Sequence, residues 1–159
     1  MQLGIRIKGG DKFEKALQKI VDMNMGIKAG VLRGAYNADT GASIASYAYW
    51  NEYGTTDGHI PPRPFLRQTK EEKSADWCRF VEKNANFKQI EKDKCEGMLI
   101  RLGEGIKGNI KETIQKGSFT PDAESTVKAK MRKGKSEPNH PLIDTGDLLK
   151  SIQYELVKK

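Results

Sequence analysis

The sequence contains few of the residues that usually build metal centres and disulfide frameworks. Its 159 residues include two cysteines and two histidines. Cys78 and Cys95 do not form a short metal-ligand spacing, and neither His59 nor His140 flanks them. Both cysteines fall in helical patterns, where a free cysteine is usually a small apolar side chain. The sequence therefore predicts reduced thiols, no metal site and no cofactor.

Long apolar runs are also missing. No stretch approaches the roughly 20 apolar residues that a transmembrane helix needs, and no apolar run of signal-peptide length follows Met1. Hydrophobic residues make up 36% of the chain and charged residues 31%, with a mean hydropathy of −0.68. We expect no membrane association, synthesis in the cytoplasm, and a single domain over residues 1–159 with a lean core and long polar loops or arms.

Basic residues outnumber acidic ones, which gives a formal net charge of +7 and an isoelectric point of about 9.3. This excess fits either ordinary solubility or proximity to a polyanion such as DNA. The densest basic run lies in residues 127–135, and no aromatic residue within it offers a platform for base stacking. The candidate contacts with DNA or with assembly partners in this run are Lys128, Lys130, Arg132, Lys133 and Lys135.

The periodicity of apolar residues predicts an α+β fold. The predicted strands are 2–8, 27–32 and 152–157, and the predicted helices are 11–23, 43–53 and a long helical pair from 65 to 116. We expect the strands to form one small antiparallel or mixed sheet, with helix 11–23 on one face and ending at Gly26. Residues 43–53 are rich in Tyr and Trp, which also suit a strand.

Two segments allow more than one interpretation. The second half of the helical pair is interrupted by Gly97, Gly103, Gly105 and Gly108. These residues indicate either a weak helix held by packing or the close approach of a neighbouring helix or subunit. Residues 118–140 are rich in Ser, Thr, Pro, Lys and Gly. We predict that they form a poorly packed arm that becomes ordered against a partner, the alternative being an ordinary surface loop.

Three short motifs resemble functional signatures without the context that those signatures need. Residues 103–108 match GxGxxG, but helical periodicity on both sides argues against a nucleotide-binding turn. Asp144-Thr145-Gly146 resembles the aspartic protease motif, but too little chain follows it. We expect instead that Thr145 caps a short helix that begins near Gly146, with Leu148 packing inward. Residues 61–64 contain PxxP, which we interpret as a rigid turn before a helix rather than a peptide ligand.

The most informative segment is an acidic-aromatic corner, Asn51-Glu52-Tyr53-Gly54-Thr55, followed by a proline-locked elbow at residues 60–66. Proline fixes φ and Gly54 permits unusual backbone angles, so the chain forms a rigid bend with Arg63 held between prolines. No nucleophile or metal cluster accompanies this bend, and we predict no enzymatic activity. Glu52 is expected to bond backbone amides of the corner, and Asp144 those at the Thr145 turn. A deep pocket that placed either carboxylate beside a second titratable group would argue for catalysis.

The corner, the elbow and the segment from Leu142 to Ile152 together resemble the tail-component and tail-completion proteins of long-tailed phages. The pattern is similar to that of minor tail protein Z of lambda-like phages and the virion-morphogenesis protein of Mu-like phages. It covers about residues 42–67 and 120–157, although residues 55–59 make the corner loop longer than the pattern. The residues that carry the resemblance and are candidates for interfaces are Glu52, Tyr53, Gly54, Thr55, Pro61, Arg63, Pro64, Phe65, Asp144, Thr145, Gly146, Leu148 and Ser151.

This resemblance implies a non-catalytic α+β subunit of a ring around the DNA channel, at the head–tail junction or tail end. The implied partners are other tail or connector proteins and further copies of the chain. The implied location is the virion of a phage or prophage, assembled in the bacterial cytoplasm. The residues alone lead to a small basic interaction protein, and a nucleic-acid-binding module is the alternative.

Overall fold

The computed structural model describes residues 24–32, 34, 36–37, 41–84, 92–135 and 137–158, together with Lys15, Gln18 and Asp22. The fold is α+β, as predicted. The described elements are strand β1 (Met25–Val31), helices α1 (Ile44–Tyr53), α2 (Phe65–Asn84), α3 (Lys92–Lys116), α4 (Glu124–Arg132) and α5 (Asp147–Ser151), and strand β2 (Ile152–Lys158).

The sheet pairs the two ends of the described chain. Strands β1 and β2 run antiparallel, in a register that places Met25 opposite Lys158 and Val31 opposite Ile152. The prediction that strands 27–32 and 152–157 share one sheet is confirmed. Gly26 was expected to end the preceding helix, but it lies inside β1, because the chain already turns at Asn24 with a φ of +53°.

The predicted strand 2–8 lies outside the described residues. Of the predicted helix 11–23, Lys15, Gln18 and Asp22 are described, and all three are helical.

Helices α2 and α3 form an antiparallel pair that packs against the sheet. At one end Phe65 lies in the same buried cluster as Ile110 and Ile114, and at the other Val81 lies with Cys95. Between these ends the Trp77 indole donates a hydrogen bond to Asn109 Oδ1 at 2.9 Å. The predicted helical pair from 65 to 116 is therefore confirmed.

The core divides into two hydrophobic clusters. The larger one joins α1, α2, α3, α5 and β2 through Ile44, Ala48, Phe65, Ile110, Ile114, Leu142, Leu148 and Ile152. The smaller one lies under the far ends of α2 and α3 and contains Met25, Val81, Cys95, Met98 and Leu99. Cys95 acts as an apolar side chain here, as predicted.

The glycines of α3 have different surroundings. Gly103 is in contact with strand β2, since a Cβ at this position would lie 2.3 Å from Tyr154 Cδ2. Gly97, Gly105 and Gly108 have no described side chain within 4 Å of such a Cβ. The close approach that the glycine pattern suggested is thus made by a strand of the same chain, at one of the four positions.

Residues 118–140 differ from the predicted arm. They contain helix α4, and Lys130 within it is 5% exposed. The segment therefore has regular structure and a buried side chain, although its apolar periodicity is too weak to predict a helix. That it becomes ordered against a partner stays a prediction. Among the described residues, no helix is long and apolar enough to cross a membrane.

Candidate assembly surface at the elbow

The corner that follows α1 is a tight loop closed by one threonine. The Thr55 amide donates to the Ile60 carbonyl, and the Ile60 amide donates to the Thr55 hydroxyl, both at 3.0 Å. Gly54 has a φ of +76°, and a Cβ there would lie 2.9 Å from the Ile60 carbonyl oxygen. The residues that lengthen the corner relative to the phage pattern are therefore part of an ordered loop.

Glu52 fixes the end of α1 to the beginning of α2. Its buried carboxylate accepts from the Leu66 amide at 2.8 Å and from the Arg67 amide at 3.0 Å. The first amides of a helix have no partner within the helix, and a carboxylate there also interacts favourably with the helix dipole. Glu52 bonds backbone amides as predicted, but these belong to the first turn of α2 rather than to the corner.

Arg63 connects the elbow to the segment before α4. Its guanidinium is buried and donates to the carbonyl oxygens of Thr120 (2.8 Å) and Pro121 (3.0 Å), to Asn51 Oδ1 (3.0 Å) and to Asp122 Oδ1 (2.9 Å). The planar fork of arginine suits several acceptors at fixed angles, which a lysine at this position would not satisfy. The residue clamped between prolines is thus the centre of a buried polar network.

Lys130 completes this network from the opposite side. Its ammonium donates to Asp122 Oδ2 at 2.8 Å, to the His140 carbonyl at 2.7 Å and to the Ile143 carbonyl at 2.9 Å. The side chains of Arg63, Asp122 and Lys130 are each less than a tenth exposed. Two cations and one anion leave a formal charge of +1, which the surrounding carbonyl oxygens stabilise.

Asn51 links the network to α1. Its side-chain amide donates to the Tyr47 carbonyl at 3.0 Å, and its backbone carbonyl accepts from the Arg63 amide. Burial raises the pKa of the Tyr47 hydroxyl above its ordinary value, and the negative charge of Asp122 raises it further. The neutral phenol is therefore the stable form beside this cluster at neutral pH.

The Asp-Thr-Gly segment forms a turn rather than a threonine cap. Gly146 is the N-cap of α5 with a φ of +77°, and the Thr145 hydroxyl donates to Asp147 Oδ2 at 2.6 Å. The predicted Thr145 cap is wrong, because the left-handed conformation required at the cap favours glycine. Leu148 packs inward as expected, and the Ser151 hydroxyl donates to the Leu148 carbonyl.

Asp144 and Asp147 line a small cavity of about 170 Å³ beside α1. Asp147 also accepts from the Asn37 side chain at 2.6 Å, and Asp144 Oδ1 lies 3.8 Å from Lys135 Nζ. The hypothesis that Asp144 bonds backbone amides is wrong for Oδ1, which has no hydrogen-bond partner within the described chain. Two carboxylates in one cavity meet part of our condition for catalysis. However, Asp147 is held by two hydrogen bonds, and small-molecule sites usually enclose roughly 300–1,000 Å³.

The outward face of α1 is aromatic. Tyr49, Trp50 and Tyr53 are 61%, 47% and 56% exposed, on the side of the helix opposite buried Ile44 and Ala48. The rings of Tyr49 and Tyr53 lie 4.9 Å apart, and the Arg67 guanidinium lies 4.8 Å from the centre of the Tyr53 ring. We call these three side chains the aromatic face; sequence analysis named Tyr53 among them as a candidate.

The basic run at residues 127–135 contains both exposed and buried side chains. Lys128, Arg132 and Lys133 are exposed and suited to contacts with DNA or a partner, whereas Lys135 is half-buried. Lys130 is buried and bonded through all three of its protons, so it cannot make such a contact in this conformation. The composition of the run could not distinguish Lys130, because the partner that buries it, Asp122, lies outside the run.

The remaining candidates support the elbow. Phe65 is fully buried in the larger cluster, and Pro61 and Pro64 are half-buried on either side of Arg63. The sequence did not indicate three contacts of the elbow: Arg63 with Asp122, Arg63 with Asn51, and the Arg67 guanidinium with the Glu52 carboxylate. Among the described residues, no group of three or more His, Cys, Asp and Glu side chains is arranged to hold a metal ion. Comparison of the chain with protein-family models, curated proteins and solved structures finds no match.

Proposed function

We propose that this chain is a structural tail-completion or head–tail joining protein of a phage or prophage. It acts in virion assembly as a subunit of a ring around the DNA channel, together with other tail or connector proteins. The observation that carries the proposal is the aromatic face of α1. A helix that is apolar on both sides is normally covered on both sides, and the outward side of α1 is open to solvent.

The aromatic face suits a protein interface in chemistry and in size. Tyr and Trp are enriched at interface centres, where they contribute large contact areas at low entropic cost. From the usual areas of aromatic side chains, the three rings expose roughly 300 Å² in total. A stable interface buries about 800 Å² per partner, so this face suits the centre of a larger contact.

The buried network supports the same function by making the aromatic face rigid. Glu52 ties the end of α1 to α2, and Asn51 ties it to Arg63. Rings presented on a fixed backbone lose less entropy on association than rings on a mobile loop. A subunit that must match its neighbours in a ring benefits from such pre-organisation.

The proposal is tested by assembly in the phage or prophage that encodes the chain. Loss of the gene should leave heads and tails that do not join into infectious particles, and the wild-type gene should restore joining. Trp50→Ala combined with Tyr53→Ala should fail to restore it. Tyr36→Ser is the matched control, because Tyr36 is an exposed aromatic residue outside α1.

The oligomeric mass of the purified protein, alone and with tail-tube or connector proteins, provides the second test. We expect a ring-sized species with partners that the double variant does not form. Normal particle assembly without the gene would overturn the proposal. Tight binding of a short duplex at physiological salt, weakening steeply as salt increases, would favour the nucleic-acid-binding alternative.

A further inference from the structure

Helix α4 is attached to the protein with little apolar packing. Lys130 is its one buried side chain, and Val127 and Ala129 are half-buried. Met131 is 56% exposed. No residue of α4 belongs to either hydrophobic cluster of the described chain. The burial of apolar surface, which holds the other helices in place, therefore contributes little here.

Polar contacts provide the attachment instead. The Lys130 ammonium binds Asp122, which precedes α4, and the carbonyls of His140 and Ile143, which follow it. Asp122 in turn binds Arg63 of the elbow. One lysine thus holds both ends of the α4 segment, and one aspartate joins that segment to the body of the protein.

The polar network fixes the position of α4, but it contributes little to the free energy that keeps the segment attached. A buried ion network gives up hydration when it forms, so its net contribution is small compared with that of apolar burial. When such a segment opens, its charged groups regain water, which offsets most of the lost contacts. Segments with few buried apolar contacts also open at lower free energy than the core.

We propose that residues 120–135 form a strap that opens as a unit while the sheet and helices α1–α3 remain folded, with Lys130 as its latch. Phe119 packs against the larger cluster and marks the fixed side. Gly134, with a φ of +67°, lies just after α4 and provides a flexible position on the other side.

Opening would change the surface that the chain offers to a partner. The closed strap exposes Lys128, Arg132 and Lys133, and the open strap adds Lys130 to them. Arg63 and Asn51 would lose the cover of residues 120–122 at the same time. The strap is a property of the isolated chain, and it stands whether or not the protein belongs to a phage tail.

Native-state hydrogen exchange of the full-length wild-type protein tests the proposal directly. Amides of residues 124–132 should exchange through an opening that depends only weakly on urea, because little surface becomes exposed. Core amides of α2 and α3 should exchange through a larger opening with a steep urea dependence. Equal opening free energies and equal urea dependences in the two regions would overturn the proposal.

Two matched lysine variants identify the latch. Lys130→Met keeps the apolar length of the side chain but leaves Asp122 and two carbonyls without their donor, so exchange in residues 124–132 should become faster by about a hundredfold. Core amides should be unaffected. Lys128→Met should change neither region, because Lys128 is exposed and lies 3.5 Å from Glu124 in a surface pair.

The Lys130→Met variant can also contradict the proposal. If Lys130→Met increases exchange in α4 and in the core by the same factor, the network belongs to the cooperative core. If it changes neither, Lys130 is not the latch. If the variant fails to fold, the core itself requires Lys130, and the strap is excluded.

Discussion

Gly103 and Gly105 offer a sharp test of how β2 packs on α3. Both lie inside α3, but their surroundings differ. A Cβ on Gly103 would lie 2.3, 2.8 and 2.9 Å from three ring atoms of Tyr154, whereas a Cβ on Gly105 would have no neighbour within 4 Å. Ordinary contact begins at 3.4 Å. The Tyr154 ring would therefore have to move by about 1 Å to accept Gly103→Ala, and overpacking of this kind distorts its surroundings.

The two substitutions share one energetic term and differ in another. Alanine in place of glycine favours a helix by up to about 1 kcal/mol at either position. At Gly103 the displaced ring adds an overpacking cost of about 1–3 kcal/mol. We expect Gly105→Ala to stabilise the protein by up to about 1 kcal/mol and Gly103→Ala to leave it unchanged or destabilise it by up to about 2 kcal/mol.

Urea unfolding followed by circular dichroism measures both free energies of unfolding. A third variant, Tyr154→Ala, removes the ring, and Gly103→Ala made in that background should stabilise the protein as Gly105→Ala does. If Gly103→Ala stabilises the protein equally when Tyr154 is present, the ring does not lie on this face of α3. The packing of β2 against α3 described above would then be wrong.

Three further predictions concern individual side chains. Glu52→Gln should lower the free energy of unfolding by about 1–3 kcal/mol in urea titrations, because a buried carboxylate that binds helix amides loses its charge; a change below about 0.5 kcal/mol would contradict the capping role. The pKa of Tyr47 is raised in the folded state, so the neutral phenol stabilises the fold. This contribution is complete below the pKa of an unfolded tyrosine, about 10, and is lost as the pH rises through the pKa of the folded state. Tyr47→Phe should therefore lose less stability than the wild type above about pH 10, measured by urea midpoints, and an equally steep loss would refute this. Burial raises the pKa of the Cys95 thiol and shields it from reagents. In a Cys78→Ser variant, Cys95 should therefore be alkylated only after unfolding, which mass spectrometry of timed samples measures. Rapid alkylation of the native protein would contradict the burial.

The elements that the sequence predicted well are those fixed by local patterns. The alternation of Ile27, Ala29 and Val31 predicted β1, and its register with β2 follows from the pairing of apolar positions. The long helices α2 and α3 follow from helical spacing over more than five turns. Ser43 at the N-cap, which accepts from the Ser46 amide, agrees with the helix rather than the strand for residues 44–53.

The elements that the sequence did not predict depend on buried polar pairs. Helix α4 has too few apolar residues for its periodicity to indicate a helix, and its position is set by Lys130 and Asp122. Neither residue shows in a single sequence that it will be buried, since Lys and Asp are rarely buried unless paired. The candidate site was predicted only in part for the same reason: Glu52 and Arg63 lie in a recognisable motif, but Asp122 lies 59 positions from Arg63.

The distribution of aromatic residues connects the fold to the proposed function. Tyr36, Tyr49, Trp50 and Tyr53 are exposed, although aromatic side chains would contribute more than any others to a core that is otherwise lean. Polar networks meanwhile hold segments that apolar packing could have held. Both choices lower the stability of the isolated chain, and both become favourable if neighbouring chains cover the rings and replace the polar contacts. In the ring that we propose, neighbouring chains would supply this cover.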